Sequence, residues 1–165
     1  MTVEIAETVV VGLGQLYVKK SPSILVCLGL GSCIALSAYD PSTKAGGMAH
    51  IVLPDGTGRT DQASPKYATS AVPLLLSEME RQGANRSRIV IRMSGGAKMA
   101  GTGALGAVFK IGESNIEATR KALADSGITR IAGADVGGSH GRTVKLWLDT
   151  GRLAVTASNR EQIEL

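Results

Sequence analysis

The chain has 165 residues, 44% of them hydrophobic, with a mean hydropathy of +0.13, which is enough for a buried core and excludes global disorder. Aromatic residues make up only 3% (Trp147, Phe109, Tyr17, Tyr39 and Tyr67), so the core must be aliphatic and the stacking platforms of single-stranded nucleic-acid binders lack material. The formal charge of +4 comes from scattered basic residues whose longest run is Lys19–Lys20, which argues against nucleic-acid binding.

No stretch approaches the roughly 20 apolar residues of a membrane span, so the chain is expected not to be membrane-inserted. The acidic N-terminal stretch MTVEIAETVV does not read as an export signal. Together with only two cysteines, Cys27 and Cys33, this predicts a cytoplasmic protein with reduced thiols.

Residues 8–19 predict two short strands broken at Gly12–Gly14, and 24–30 (ILVCLGL) a buried strand. A Gly31–Ser32 corner leads into a strand over 33–39, closed by the turn signal Asp40–Pro41–Ser42. A further strand covers 45–53 and ends at Pro54, before a polar loop at 55–63. Ser64 followed by Pro65 predicts a helix start, running to about Gln82 with a stop at Gly83 and a kink or break at Pro73. A strand over 88–93 precedes the glycine-rich stretch 94–106. Ser114 and Glu117 have capping-box spacing for a second helix that ends before Gly127. The region 128–157 reads as β-rich, with a hairpin turn at Asp149–Thr150–Gly151. Many short strands with two helices predict a single α+β domain over 1–165.

The residues able to carry chemistry begin with Gly29-Leu30-Gly31-Ser32-Cys33. Glycines ahead of a cysteine let the chain turn sharply at Gly31 and Ser32 and leave backbone amides near Ser32–Cys33 accessible to hold an oxyanion beside a thiol nucleophile. A buried structural thiol is the plainer reading of Cys33 taken alone. His50 lies seventeen residues on, and a tight turn between two strands would bring it back beside Cys33. Alternation puts Met48, His50 and Val52 on one face and Ala49, Ile51 and Leu53 on the other, both largely apolar, so His50 belongs to a buried strand. It is either a satisfied core histidine or the general base of a cysteine–histidine pair. A catalytic Cys33 is expected to react below the ordinary thiol pKa of about 8.5.

On a straight strand Cys27 and Cys33 would lie about 20 Å apart, meeting only if the chain folds back at Gly29 and Gly31. A disulfide is therefore not expected, and Cys27 reads by default as a strand residue. Cys27, Cys33, His50 and His140 match no structural zinc spacing, so no metal is expected. Gly101 to Gly106 fits G-x-G-x-x-G but lacks the strand before it and the helix after it that bind a dinucleotide phosphate. His140, among glycines, reads as a solvated turn residue.

The stretches Leu28-Gly-Leu-Gly-Ser-Cys33, Tyr39-Asp40-Pro41, Gly46-Gly-Met-Ala-His50 through Leu53-Pro54, Lys66-Tyr67-Ala68, Gly95-Gly96-Ala97, Asn115-Ile116, Gly137-Gly138 and Gly141-Arg142-Thr143-Val144 follow one order over nearly the whole chain. In this the sequence resembles the chemoreceptor glutamine deamidases, the CheD family. The resemblance implies hydrolysis of glutamine side-chain amides to glutamate on methyl-accepting chemotaxis receptors. It implies Cys33 as nucleophile, His50 as base, and no cofactor. It further implies a fold like the deamidating toxins of the cytotoxic necrotizing type. That fold is a mixed β core, as two packed sheets or one strongly bent sheet, flanked by two main helices. A CheC-type phosphatase is the implied further partner, and a monomer is the default state.

One position departs from the family. Its usual third active-site residue is a threonine six before the cysteine, where this chain has Cys27, a much weaker hydrogen-bonding group. The orienting role then weakens or passes to a backbone carbonyl. Large apolar side chains usual after Gly-Gly-Ala-x-Met are replaced by Ala100, which bears on a phosphatase interface. Three other readings stay open at this stage. They are transglutaminase-like transfer to an amine, a regulatory module with weak or no catalysis that binds chemoreceptors or a CheC-type phosphatase, and redox sensing through Cys27 and Cys33.

Overall fold

The computed structural model describes residues 2–99 and 110–165. In chain order the strands of the first half are β1 (Thr8–Val10), β2 (Leu16–Lys20), β3 (Ile24–Leu30), β4 (Ile34–Asp40) and β5 (Ala45–Ile51). Helix α1 (Ala68–Arg81), β6 (Val90–Gly95) and α2 (Ile111–Asp125) follow, then β7 (Gly133–Val136), β8 (Arg142–Trp147), β9 (Leu153–Ala157) and β10 (Arg160–Glu164). The strands form two five-stranded mixed sheets, ordered β1-β3-β8-β9-β10 and β2-β5-β4-β6-β7. Of the alternatives expected for the β core, two sheets is the one realised.

Strand sequence explains the layering. Apart from Ser37, Asp40 and His50, both faces of β4 and β5 are apolar or small, and every residue of both strands is buried. Ile34, Leu36, Ala49, Ile51 and Met93 face the helices, where Val72, Leu75, Leu76, Met79 and Leu123 cover them. Ala35, Tyr39 and Met48 face the other sheet and pack on Leu25, Cys27, Val144, Leu146 and Val155. The order is therefore sheet, sheet, helices, with both helices on one side. Gly46 and Gly47 let those layers close on β5: a Cβ there would lie 2.3 Å from Leu148 and 2.6 Å from Leu75.

Helix starts differ from the sequence expectation. The first helix begins at Ala68 and not at Pro65, because Tyr67 is extended and pairs with Leu53. The Lys66 carbonyl accepts from the amides of Val52 and Leu53, which ties this segment to the end of β5. Pro73 does not break α1; Pro73 and Thr69, whose carbonyl loses its partner, both face solvent. The second helix begins at Ile111, so Ser114 lies within it and the capping box is unused. Gly83 and Gly127, both at positive φ, follow the helix ends as expected.

Residues 86–88 form a 3-10 turn, and the strand expected over 88–93 occupies Val90–Gly95. The edge strand β10 departs from the sequence expectation: its mostly exposed residues REQIE offer one apolar side chain, Ile163, which packs on the inter-sheet core, and the strand pairs through its backbone with β9. The Gly101–Gly106 motif lies outside the described residues. His140 is exposed, as read from its glycine neighbours. No helix among the described residues is long and apolar enough to cross a membrane.

Candidate active site

Cys33 lies in the turn between β3 and β4, where the chain passes from one sheet to the other. Gly29, at φ +60°, sits in a bulge of β3: Cys27 pairs with Val144 and Leu30 with Arg142, so three residues span two on β8. The extra residue turns Leu28 and Gly29 outward while Cys27 and Leu30 both stay in the core. After Gly31 and Ser32 the chain enters the second sheet, so Cys27 and Cys33 border one inter-sheet core. The fold-back on which their meeting depended is present, and the straight-strand separation does not apply.

His50 comes to the same face through register. Ala35 pairs with His50 across β4 and β5, and Cys33 is two residues before Ala35. Such diagonal neighbours on one sheet face are about 7–8 Å apart at Cα, within reach of longer side chains. His50 is 4% exposed and fixed on three sides. Its carbonyl accepts from the Gly14 amide at 3.0 Å and its amide donates to the Gln15 carbonyl at 3.0 Å. Its Nδ1 is 3.0 Å from the Val11 carbonyl. A carbonyl only accepts, so Nδ1 carries a proton, and in the neutral ring the lone pair lies on Nε2. Nε2 has no hydrogen-bond partner among the described residues.

The Val11 carbonyl also accepts from the Cys27 thiol at 3.7 Å. Cys27 thus lies beside the atom that anchors His50. Burial, together with the nearby Cys33 thiol, pushes the Cys27 thiol up to about 12, so it stays neutral at any ordinary pH. Burial pushes Cys33 up as well. That is the opposite of the depressed value expected for a standing thiolate, because apolar packing disfavours the charge.

The turn itself is held by its carbonyls. Gly31 accepts from the Ala97 amide at 2.9 Å, Ser32 from Asn115 Nδ2 at 2.9 Å, and Cys33 from the Gly96 amide at 2.9 Å. In a planar trans peptide the amide points opposite to the carbonyl before it. The Gly31 and Ser32 carbonyls therefore direct the amides of Ser32 and Cys33 the other way, and neither amide has an acceptor among the described residues. Gly95, at φ +116°, permits this approach: a Cβ there would lie 2.1 Å from the Cys33 carbonyl.

Sequence reasoning named Cys33, His50, Cys27, Gly31 and Ser32, and all five border this one end of the second sheet. It did not find the Val11 carbonyl, which no side chain marks. Asn115 entered only as part of a family-like stretch. A buried asparagine on the core-facing stripe of a helix was the available signal.

The family model described as CheD chemotactic sensory transduction matches residues 52–157. The chain belongs to the CheD family. It is 43% identical over 158 residues to a probable chemoreceptor glutamine deamidase CheD of Symbiobacterium thermophilum, covering 94% of this chain and 95% of that protein. The chemoreceptor glutamine deamidase CheD of Thermotoga maritima is 41% identical over 157 residues, covering 94% and 96%. That of Halalkalibacterium halodurans is 38% identical over 161 residues, covering 96% and 99%. The CheD family model begins at Val52, two residues beyond His50, whereas these pairwise likenesses reach over most of the chain.

Proposed function

We propose that the protein is a protein-glutamine deamidase that hydrolyses glutamine side-chain amides to glutamate on methyl-accepting chemotaxis receptors. The names of its relatives support the substrate class. The observation that carries the chemistry is the hydrogen bond from His50 Nδ1 to the Val11 carbonyl, which leaves Nε2 as a base on the face that Cys33 borders.

In this reading His50 Nε2 takes the thiol proton of Cys33 as the sulfur attacks the amide carbon. Because burial opposes a standing thiolate, proton transfer and attack belong to one step. The amides of Ser32 and Cys33 donate to the oxyanion, with Gly31 shaping the turn. His50 returns the proton to the departing nitrogen, the C–N bond breaks, and ammonia leaves behind a Cys33 thioester. Water, deprotonated by His50, then cleaves the C–S bond to give glutamate and the free thiol. The Val11 carbonyl takes the orienting role that Cys27, as a thiol, fills poorly.

The same reading has residues 1–165 act as one cytoplasmic, monomeric domain with the fold of the deamidating-toxin cysteine hydrolases. A CheC-type phosphatase is its further partner. The raised Cys33 thiol favours a second reading, a regulatory module that binds receptors with little catalysis.

Mass spectrometry of a chemoreceptor cytoplasmic fragment, incubated with wild type or Cys33→Ala, tests both. Conversion of glutamine to glutamate by wild type alone is expected. Binding without conversion by either protein would favour the second reading, and equal conversion by both would remove Cys33 from the mechanism.

A further inference from the structure

The core-facing stripe of α2 consists of Gly112, Asn115, Thr119, Ala122 and Leu123, so two polar residues stand where a helix against a sheet ordinarily places apolar ones. Asn115 has no exposed surface. Its Nδ2 donates to the Ser32 carbonyl at 2.9 Å and to the Val52 carbonyl at 3.0 Å. Both carbonyls lie just past the last rung of the β4–β5 ladder, Ile34 with Ile51. There two neighbouring acceptors need a donor that neither strand supplies. The carboxamide is the one neutral side-chain group that presents two hydrogens from a single atom to such a pair.

What it joins gives the bond its meaning. The Ser32 carbonyl belongs to the peptide whose amide is that of Cys33, and Val52 is two residues beyond His50. A single nitrogen therefore spans the nucleophile's peptide and the base's strand. Asn115 Oδ1, meanwhile, is buried with no partner among the described residues. An unmatched buried acceptor opposes folding, so a residue kept only for packing would be apolar here.

We infer that Asn115 is a positioning residue that fixes the Cys33 amide and the separation of Cys33 from His50; this rests on the deamidase reading above. It touches no reacting atom. Its loss relaxes the turn away from the base strand and slows the chemical step, while the substrate still binds.

The test is steady-state deamidation of a chemoreceptor fragment, normalised to alkylatable Cys33 and measured well below each variant's melting temperature. Asn115→Asp keeps the shape and removes both donated bonds. It is expected to lower kcat about 10- to 100-fold with KM within about twofold, as befits a misplaced catalytic group. Asn115→Gln keeps the donors on a longer arm and is expected to retain more activity than Asn115→Asp. A merely structural role would lower the melting temperature and leave the normalised kcat unchanged in both, which overturns the inference. Should Asn115→Asp not fold, Asn115→Ala takes its place, since it also removes both donated bonds, and an unchanged normalised kcat there overturns the inference. A wild type with no deamidation at all overturns the underlying reading, and the inference with it.

Discussion

Strand β4 starts beside Cys33 and finishes at Asp40, and its two ends treat polar groups in opposite ways. At the far end the buried Asp40 carboxylate is saturated. Oδ1 accepts from the Ser42 amide at 2.9 Å and Arg88 Nε at 3.1 Å, and Oδ2 from the Asn85 amide and Arg88 Nη2, both at 2.9 Å. The Arg88 hydrogen bonds lead in holding this carboxyl well below the usual range. At the near end the amides of Ser32 and Cys33 and the Nε2 of His50 lack partners among the described residues, and the buried Ser94 Oγ and Asn115 Oδ1 do too. Unmatched polar groups oppose folding. In the proposed deamidase reading, the Ser32 and Cys33 amides and His50 Nε2 are the groups left open for the reacting amide.

Substitutions at the near end should therefore remove activity more than stability. Cys33→Ala is expected to lose at least about 10³-fold in kcat, and His50→Ala about 10²- to 10⁴-fold. Circular dichroism melting of Cys33→Ala should stay near that of wild type, and deamidation at the wild-type rate would break the contrast. Gly95→Ala should damage both properties. Its Cβ meets the Cys33 carbonyl, so the turn must shift, at roughly 10²-fold in kcat for a displacement near 1 Å. Its φ of +116° adds strain of about 1–3 kcal/mol. Wild-type kinetics in that variant would show that the turn tolerates movement.

The far end should behave in reverse. Asp40→Asn is expected to destabilise by about 1–3 kcal/mol, which for this chain length lowers Tm by roughly 2–4 °C per kcal/mol. Its kcat per folded molecule should match wild type. The pH dependence carries the same signature. Folded Asp40, and Asp135 held by Arg160 and Arg142, titrate below their unfolded values. Their stabilisation is complete above about pH 4 and is lost as pH falls through the depressed values. Thermal melts from pH 7 to pH 2 should fall less steeply for Asp40→Asn, and parallel curves would remove Asp40 from the account.

The smallest effect belongs to the departure from the family pattern. Cys27→Thr restores a hydroxyl beside the Val11 carbonyl, but His50 is already held there. Steady-state kcat should rise no more than roughly threefold, the worth of a modest hydrogen bond. A much larger gain would mean that the carbonyl orients His50 poorly.

The contrast between the ends also separates what the sequence could and could not reveal. Apolar runs marked β3, β4 and β5, because a strand buried on both faces has an uninterrupted apolar sequence. Cys33 was legible as a reactive residue type preceded by glycines, and His50 as a histidine on an otherwise apolar strand. Helix starts were less so, since Tyr67 is drawn into a bridge with Leu53 that no local preference encodes. Strand β10 left little trace, being mostly exposed, with Ile163 its single apolar contact to the core. The Val11 carbonyl and the Asn115 bridge depend on where a loop and a helix arrive from distant parts of the chain. Local spacing does not report such arrivals.

Deamidation rate per folded molecule, measured side by side for Cys33→Ala and Asp40→Asn against wild type, decides whether the two ends of β4 divide chemistry from stability. Cys33→Ala should give no conversion at an unchanged melting temperature, and Asp40→Asn wild-type conversion at a lowered one. Conversion surviving in Cys33→Ala, or lost in folded Asp40→Asn, would contradict that division.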